Sequence, residues 1–525
     1  MAAQLLFGGA LGPRALCKSQ SHRRTFGARP SFNKAEQNSM HAPHSKSIAI
    51  IGAGASGLYL AYRLSQAGFD KVRLFEKRSR VGGRMHDRII QGHNTPIALG
   101  ALSFSDAHSL VRGLCAHLEL PIGPLQVRRR GYALRGVRAS GEDLSALKDA
   151  YDLAANPRDQ GCAYEILFSV IGAMAPDFEA YWRDPDALLD YLDSCRPAGR
   201  GLRSWGFWNL IARYLAPDAY AFVRDCMGAC SSVANTQARE AIFTLLWETR
   251  PNQRHFRLRG GFCALAHGLR QKIAQKARII LGAELQSVRA RDAGVELCFS
   301  QANGARSSHV VDAAIITCPP AALERVAFDD AMIAACVRLG CARVREIDAT
   351  KLFLGFSRPW WGPAAARTID VLAADAPLRQ VFMEDAASGV LLASFADGES
   401  ASFWQGLCQA SDAPASALAI EAAIAQLQRA LGVTAPAPLS SWFVDWSRHG
   451  EGAAWHAWAI GADAHRVRAQ MRQPAREIPV FICGEAFASP QGWVEGAISS
   501  AEMVLERHFG MARPAWVRGQ FAFEV

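Results

Sequence analysis

Ser47-Ile-Ala-Ile-Ile-Gly52-Ala-Gly54-Ala-Ser-Gly57-Leu58 sets G-x-G-x-x-G between the end of an apolar strand and the start of a helix. In that context the glycines mark a dinucleotide site. Gly52 permits the tight turn. Gly54 lets the backbone of this turn, with Ala55 and Ser56 at the helix start, approach a pyrophosphate, and Gly57 lets helix and strand pack closely. Leu58, Ala61 and Leu64 recur at helical spacing, Gly68 ends the helix, and Lys71-Val-Arg-Leu-Phe reads as a second strand closing on Glu76. Glu76, nineteen residues beyond Gly57, stands where an acidic side chain accepts both ribose hydroxyls and disfavours a 2′-phosphate.

The 525-residue chain suits two or three domains, and half of its residues are hydrophobic. No apolar run approaches the roughly 20 residues that a membrane span requires. The net charge is +10, but residues 1–39 hold Arg14, Lys18, Arg23, Arg24, Arg29 and Lys34 against Glu36 alone, half of the excess. Beyond them basic and acidic residues mix, which argues against a nucleic-acid surface. The basic tail reads as a transit-like segment, a disordered extension, or sequence ahead of a start at Met40. The start at Met40 is the expectation, because the first strand follows within a few residues. Arg23-Arg24 resembles a twin-arginine signal, yet no apolar region follows, so export is not expected. Thirteen scattered cysteines suggest a reducing compartment, hence a cytoplasmic protein unless the tail targets an organelle. Cys226 and Cys230 have metal-ligand spacing, but without a second pair they read as buried small residues, and no metal is expected.

Residues 103–250 read mainly as helices, including 207–215 and 219–224. Short β runs follow at 277–281, 284–289, 294–299 and 309–318. A helix is expected near Ser416–Leu431, then the aromatic segments Trp442–Trp446 and Gly452–Trp458. The chain closes with Val480-Phe-Ile-Cys-Gly484-Glu485-Ala486, then Gln491-Gly-Trp493-Val494-Glu-Gly-Ala497-Ile498 and a last helix.

Two motifs carry a family resemblance over residues 46 to about 508. Glu76-Lys77-Arg-Ser-Arg-Val-Gly82-Gly83-Arg84 and the ending G-E-A followed by G-W-x-E-G-A resemble the flavin-containing amine oxidases. The resemblance implies an α/β fold with a Rossmann-type FAD domain built from 46–102, 256–344 and 466–512. It further implies a helical subdomain at 103–255, a substrate domain at 345–465 and an extension at 1–45. FAD is the implied cofactor. Gly83 and Arg84 then lie at its ribityl-pyrophosphate, Glu485 at the ribityl chain, and the helix start at Ala497 at the ring's pyrimidine end, where a helix N-terminus favours negative charge. Lys77, Gly100, Ala101, Leu102, Val288, Gly484 and Val494 are assigned to the cofactor as well. Trp493 is implied as a wall of the substrate site, and Lys351, opening an apolar strand before Pro359-Trp-Trp361, as the residue holding a water at flavin N5.

Within the family the chain is similar to bacterial L-amino-acid oxidases such as the L-tryptophan oxidase of violacein biosynthesis, through Leu99–Phe104, Lys351, Ala376–Phe382 and Gly492-Trp-Val-Glu-Gly. That implies hydride removal from a C–N bond, imine release and reoxidation by O2 to H2O2, with a small amine and O2 as partners and a homodimer left open. Ser103 and Phe382 stand where these enzymes bind the substrate carboxylate through arginine and tyrosine, so a substrate without a free carboxylate is expected. Arg379 is the candidate substitute. No cysteine lies between Cys408 and Cys483, where a flavin-linking one would stand, so FAD is expected to be non-covalent. Trp205, Trp208, Trp442, Trp446, Trp455 and Trp458 could supply an aromatic cage, and Trp458 is placed in the substrate pocket. The alternatives are a flavin desaturase acting on C–C bonds and a flavin-binding protein without catalysis.

Overall fold

The glycine-rich turn leaves the middle strand of a five-stranded sheet. Its strands run in the order 277–281, 71–76, 47–51, 313–316, 480–482, and all neighbours are parallel. The computed structural model describes residues 45–125, 130–141, 143–153, 161–228, 234–250, 253–361, 369–385, 388–449 and 452–517. Parallel sheets need cover on both faces, and the parity of the first strand shows how it is obtained. Ile48 and Ile50 pack with Leu58, Leu64, Ile498 and Leu505 of the helices Ala55–Gln66 and Val494–Phe509. Ala49 and Ile51 face a core with Leu285, Leu297 and Val337, which belong to a four-stranded sheet and the helix Ala331–Cys341.

The expected strand at 309–318 is in fact two strands in two sheets. Arg306–Val311 ends the four-stranded sheet and Ala313–Ile316 enters the parallel one. Asp312 marks the crossing: its carboxylate accepts hydrogen bonds from the Ser47 amide (2.6 Å) and hydroxyl (2.7 Å), tying the new strand to the first. The stretch His309-Val-Val-Asp-Ala-Ala-Ile-Ile contains no glycine or proline, so no turn signal announces the change of sheet.

A seven-stranded sheet, in the order 440–445, 349–355, 390–397, 380–385, 371–374, 130–134, 137–140, forms the second layer of the molecule. Its last two strands come from the stretch read as helical. Arg130–Leu134 pairs in parallel with Val371–Ala374, so that stretch extends the sheet at its edge as well as supplying helices over one face. Helices Ala163–Met174, Pro185–Ser194, Pro217–Met227 and Ala238–Glu248 share one core with this sheet's Phe353, Phe382, Leu392 and Phe395. The helix expected over 207–215 is shorter, Phe207–Ile211. Ala417–Leu431 forms as expected, with the Ser416 hydroxyl accepting from the Ala419 amide at 3.1 Å. All eleven described cysteines are unpaired. Cys226 lies in the core at the end of its helix, Cys230 falls outside the described residues, and no metal-binding cluster occurs among the described residues.

Candidate active site

A cavity of about 600 Å³ runs from the glycine-rich turn to the seven-stranded sheet. At its dinucleotide end Gly52 has φ +101°, and a Cβ there would stand 2.6 Å from the Thr317 hydroxyl. A Cβ on Gly57 would come within 1.8 Å of the Gly52 carbonyl, so this glycine serves the packing of helix on strand. Gly54 is the converse. A Cβ there meets no protein atom within 4 Å, and the residue lines the cavity, so the side chain would fill space left for a ligand. Glu76 is held by the amides of Ala53 (2.7 Å) and Arg78 (2.8 Å), and Lys77 pairs with Glu284 at 2.9 Å. A bare backbone cradle, a fixed acid for the ribose and a long continuous hollow fit FAD.

Midway along, Arg84 and Glu485 pair at 2.9 Å, and Arg84 also donates to the Ala454 carbonyl at 3.0 Å. Glu485 is saturated. It accepts from the amides of His456 (3.0 Å) and Gly492 (2.6 Å), while its second oxygen meets His456 Nδ1 at 2.8 Å. Burial alone would raise its pKa, but Arg84 and His456 outweigh burial and hold the carboxyl at about 2.

At the far end Lys351, only 3% exposed, donates to the carbonyls of Ala98 (2.8 Å) and Gly100 (2.7 Å) and stands 5.5 Å from the Phe395 ring. It is the third residue of the strand Ala349–Gly355, so a buried cation takes the place expected for a strand-opening one. Trp446, Trp455 and Trp493 complete this end. Trp446 is fixed by its indole N–H to the Leu99 carbonyl at 2.9 Å. Trp493 is the N-cap of Val494–Phe509, whose Val494 and Ala497 reach the cavity wall, and the Ser56 hydroxyl donates to the Ala497 carbonyl at 2.7 Å. Its indole packs on His108, ring centroids 5.0 Å apart, which in turn pairs with the buried Glu248 at 2.9 Å. Glu495 holds the neighbouring helix Ser109–His117 by accepting from the amides of Leu110 and Val111.

The structure brings together most of the residues singled out in the sequence. Gly52, Gly54, Ala55, Ser56, Glu76, Lys77, Gly83, Arg84, Gly100, Ala101, Lys351, Gly484, Glu485, Trp493, Val494 and Ala497 all line the cavity. Leu102, Ser103 and Val288 are buried outside its lining, Val288 in the core beneath the four-stranded sheet. Trp458 is not at the pocket: it is 1% exposed in that same core, whereas Trp455, three residues earlier on the strand Trp455–Trp458, faces the cavity. An alternating strand turns neighbours to opposite sides, and nothing in the run Trp-His-Ala-Trp says which side is which. Phe382 packs with Phe395 and the helices, one layer behind the lining. Arg379 points elsewhere, donating to the Gly228 carbonyl at 3.0 Å and pairing with Asp225 at 3.7 Å. Phe395 and Thr317 line the cavity without any motif to announce them.

Residues 55–504 match the protein family described as flavin containing amine oxidoreductase. Aplysianin-A of Aplysia kurodai is 25% identical over 513 residues, covering 88% of this chain and 90% of its own. An L-amino-acid oxidase of Siganus canaliculatus is 23% identical over 485 residues, with 88% and 85% covered. The solved structure of putrescine oxidase bound to putrescine shares the fold, with a TM-score of 0.64 at 18% identity, 89% of this chain and 99% of that one being covered. With a matching span that includes the glycine-rich turn's helix, Lys351 and the helix behind Trp493, the chain belongs to the flavin-containing amine oxidoreductases and is an FAD-dependent enzyme of the amine oxidase type.

Proposed function

We propose that the enzyme oxidises an apolar or aromatic amine that carries no free α-carboxylate, releasing an imine and, with O2, H2O2. The observation that carries this reading is the position of the cations. Arg379, the one arginine offered by sequence to replace the absent anchor, is committed to Gly228 and Asp225. At the inner end of the cavity Arg84 is neutralised by Glu485, and Lys351 is held by two carbonyls. Ser103 and Phe382 offer no charge. A carboxylate entering there would lose its hydration without gaining a charge-assisted bond of roughly 1.5–3 kcal/mol.

Bound FAD supplies the two-electron acceptor for the carbon bearing the nitrogen. The chain's own part is to orient and to exclude water. Trp446, Trp455 and Trp493 offer flat apolar walls to an amine's side chain, all buried and two of them fixed from behind by Leu99 and His108. Lys351 is the residue to which we assign the water at the flavin's reactive nitrogen, its ammonium being fixed between the Ala98 and Gly100 carbonyls. The test is anaerobic flavin bleaching by stopped flow with free L-amino acids, their amides and esters, and the decarboxylated amines. Amides or amines should bleach the flavin faster than the parent acids. Efficient reduction by free L-tryptophan or another free L-amino acid would sink the reading.

A further inference from the structure

Two of the indoles at the cavity's inner end are held in different ways. The Trp446 N–H is bonded to the Leu99 carbonyl, whereas among the described residues the Trp493 indole donates no hydrogen bond, so the tilt of its ring rests on what packs behind it. Behind it is His108, 1% exposed, with its ring inclined at 45° to the indole. The Ser105 amide donates to His108 Nδ1 at 3.2 Å, so the imidazole carries its proton on Nε2, and that nitrogen meets Glu248 Oε1 at 2.9 Å. The other Glu248 oxygen accepts from the Ser105 hydroxyl at 3.2 Å.

Glu248 stands where an acid does not stabilise the fold. It is 0% exposed and closes the helix Ala238–Glu248, and a helix C-terminus disfavours negative charge. Neighbouring cations do not take it up. Arg250 lies over the Trp247 ring at 3.5 Å, and His255, the strand partner of Ser105, has neither ring nitrogen bonded. What Glu248 does hold is the imidazole behind Trp493. Without an acceptor at Nε2 that ring can turn about its Cβ–Cγ bond, and the indole resting on it would turn too.

We propose that Glu248 is a positioning residue for amine oxidation, fixing the His108 ring and through it the tilt of the Trp493 indole against the substrate. The proposal rests on the reading of the cavity's inner end as the amine site. A wall displaced by about an ångström misplaces the substrate's C–H bond relative to its hydride acceptor, which can slow the reaction by up to about 10²-fold.

Trp493 is read directly by fluorine NMR of the FAD-loaded protein labelled with 5-fluorotryptophan, its resonance assigned by its loss in Trp493→Phe. Glu248→Leu should shift or broaden that resonance and slow anaerobic flavin bleaching by 2-phenylethylamine or tryptamine roughly 10–10²-fold, with flavin content unchanged. Glu248→Gln keeps an acceptor oxygen for Nε2 and should restore the resonance and most of the rate. Because leucine at this buried site could fail to fold, Glu248→Asp is the second variant. It withdraws the carboxyl by one methylene, and should move the same resonance and slow bleaching about 3–10-fold. A Trp493 resonance unmoved in these variants would overturn the proposal, as would a moved resonance with unaltered bleaching. Equal losses in the leucine and glutamine variants would place the effect in packing and overturn it too. Bleaching of the unaltered protein by free L-tryptophan and not by these amines would overturn the amine reading alone, and the same comparisons run with tryptophan would then decide the role of Glu248. A flavin that none of these compounds bleaches would overturn both.

Discussion

At Gly54 a Cβ would meet no protein atom within 4 Å while the residue lines the cavity, so we propose that a side chain there competes with the cofactor and not with the fold. Gly54→Val should leave a folded protein that purifies without yellow colour, read from the ratio of flavin to protein absorbance. For Lys351 we propose a double duty. Lys351→Met should retain FAD while lowering turnover by about 10²-fold if the ammonium holds the reacting water. The same change removes two charge-assisted bonds to Ala98 and Gly100, so urea unfolding should register a loss of roughly 2–4 kcal/mol. Unaltered half-reactions with that stability loss would make Lys351 a structural cation only. Glu485 gives a pH signature. Its carboxyl is held at about 2, below the ordinary value of 4.5, so its contribution is complete above about pH 5 and lost as pH falls towards 2. Acid unfolding of Glu485→Gln should therefore show a shallower dependence over that window than the unaltered protein.

Among the elements, the helix Val494–Phe509 ties the site together. It begins at Trp493, packs on Ala55–Gln66, and through Glu495 supplies the acceptor for two amides at the start of Ser109–His117. Those amides are buried and have no other acceptor in the helix, since the first turn of any helix lacks one. Glu495→Ala should cost about 2–4 kcal/mol in urea unfolding and weaken FAD binding together with it, whereas Glu495→Gln, which keeps one acceptor oxygen, should lose less. Equal losses in the two variants would place the effect in packing and not in the cap.

On the scale of the whole molecule, the cavity is bounded by segments hundreds of residues apart: Gly52–Ser56, Ala283–Gln286, Lys351, Trp455 and Gly484–Ala497. A ligand spanning them binds the folded state alone. Added FAD should raise the unfolding midpoint of the stripped protein in proportion to the logarithm of its concentration, by several degrees at a hundredfold excess over its dissociation constant. A midpoint indifferent to FAD would mean that the cavity walls close without it.

Much of this architecture is local in origin and could be read directly. The turn at Gly52, the strand ending at Glu76, the helix capped by Ser416 and the G-W-x-E-G-A ending are each specified by neighbours in the chain, because turn geometry, capping and periodicity are short-range effects. Sequence alone therefore determined the glycine-rich turn, the strand that ends on Glu76 and the local elements around them, but not the whole lining, since Thr317 joins it unannounced and Val288 stays in the core. Tertiary structure decided what depends on which side of a sheet a residue meets. It placed Trp455 at the cavity and Trp458 in the core, turned Arg379 away, split 309–318 between two sheets and carried 130–140 into the seven-stranded sheet. A β-strand offers two faces and a choice of neighbours at nearly equal local cost, and only the packing of the remaining chain makes one of them the inside.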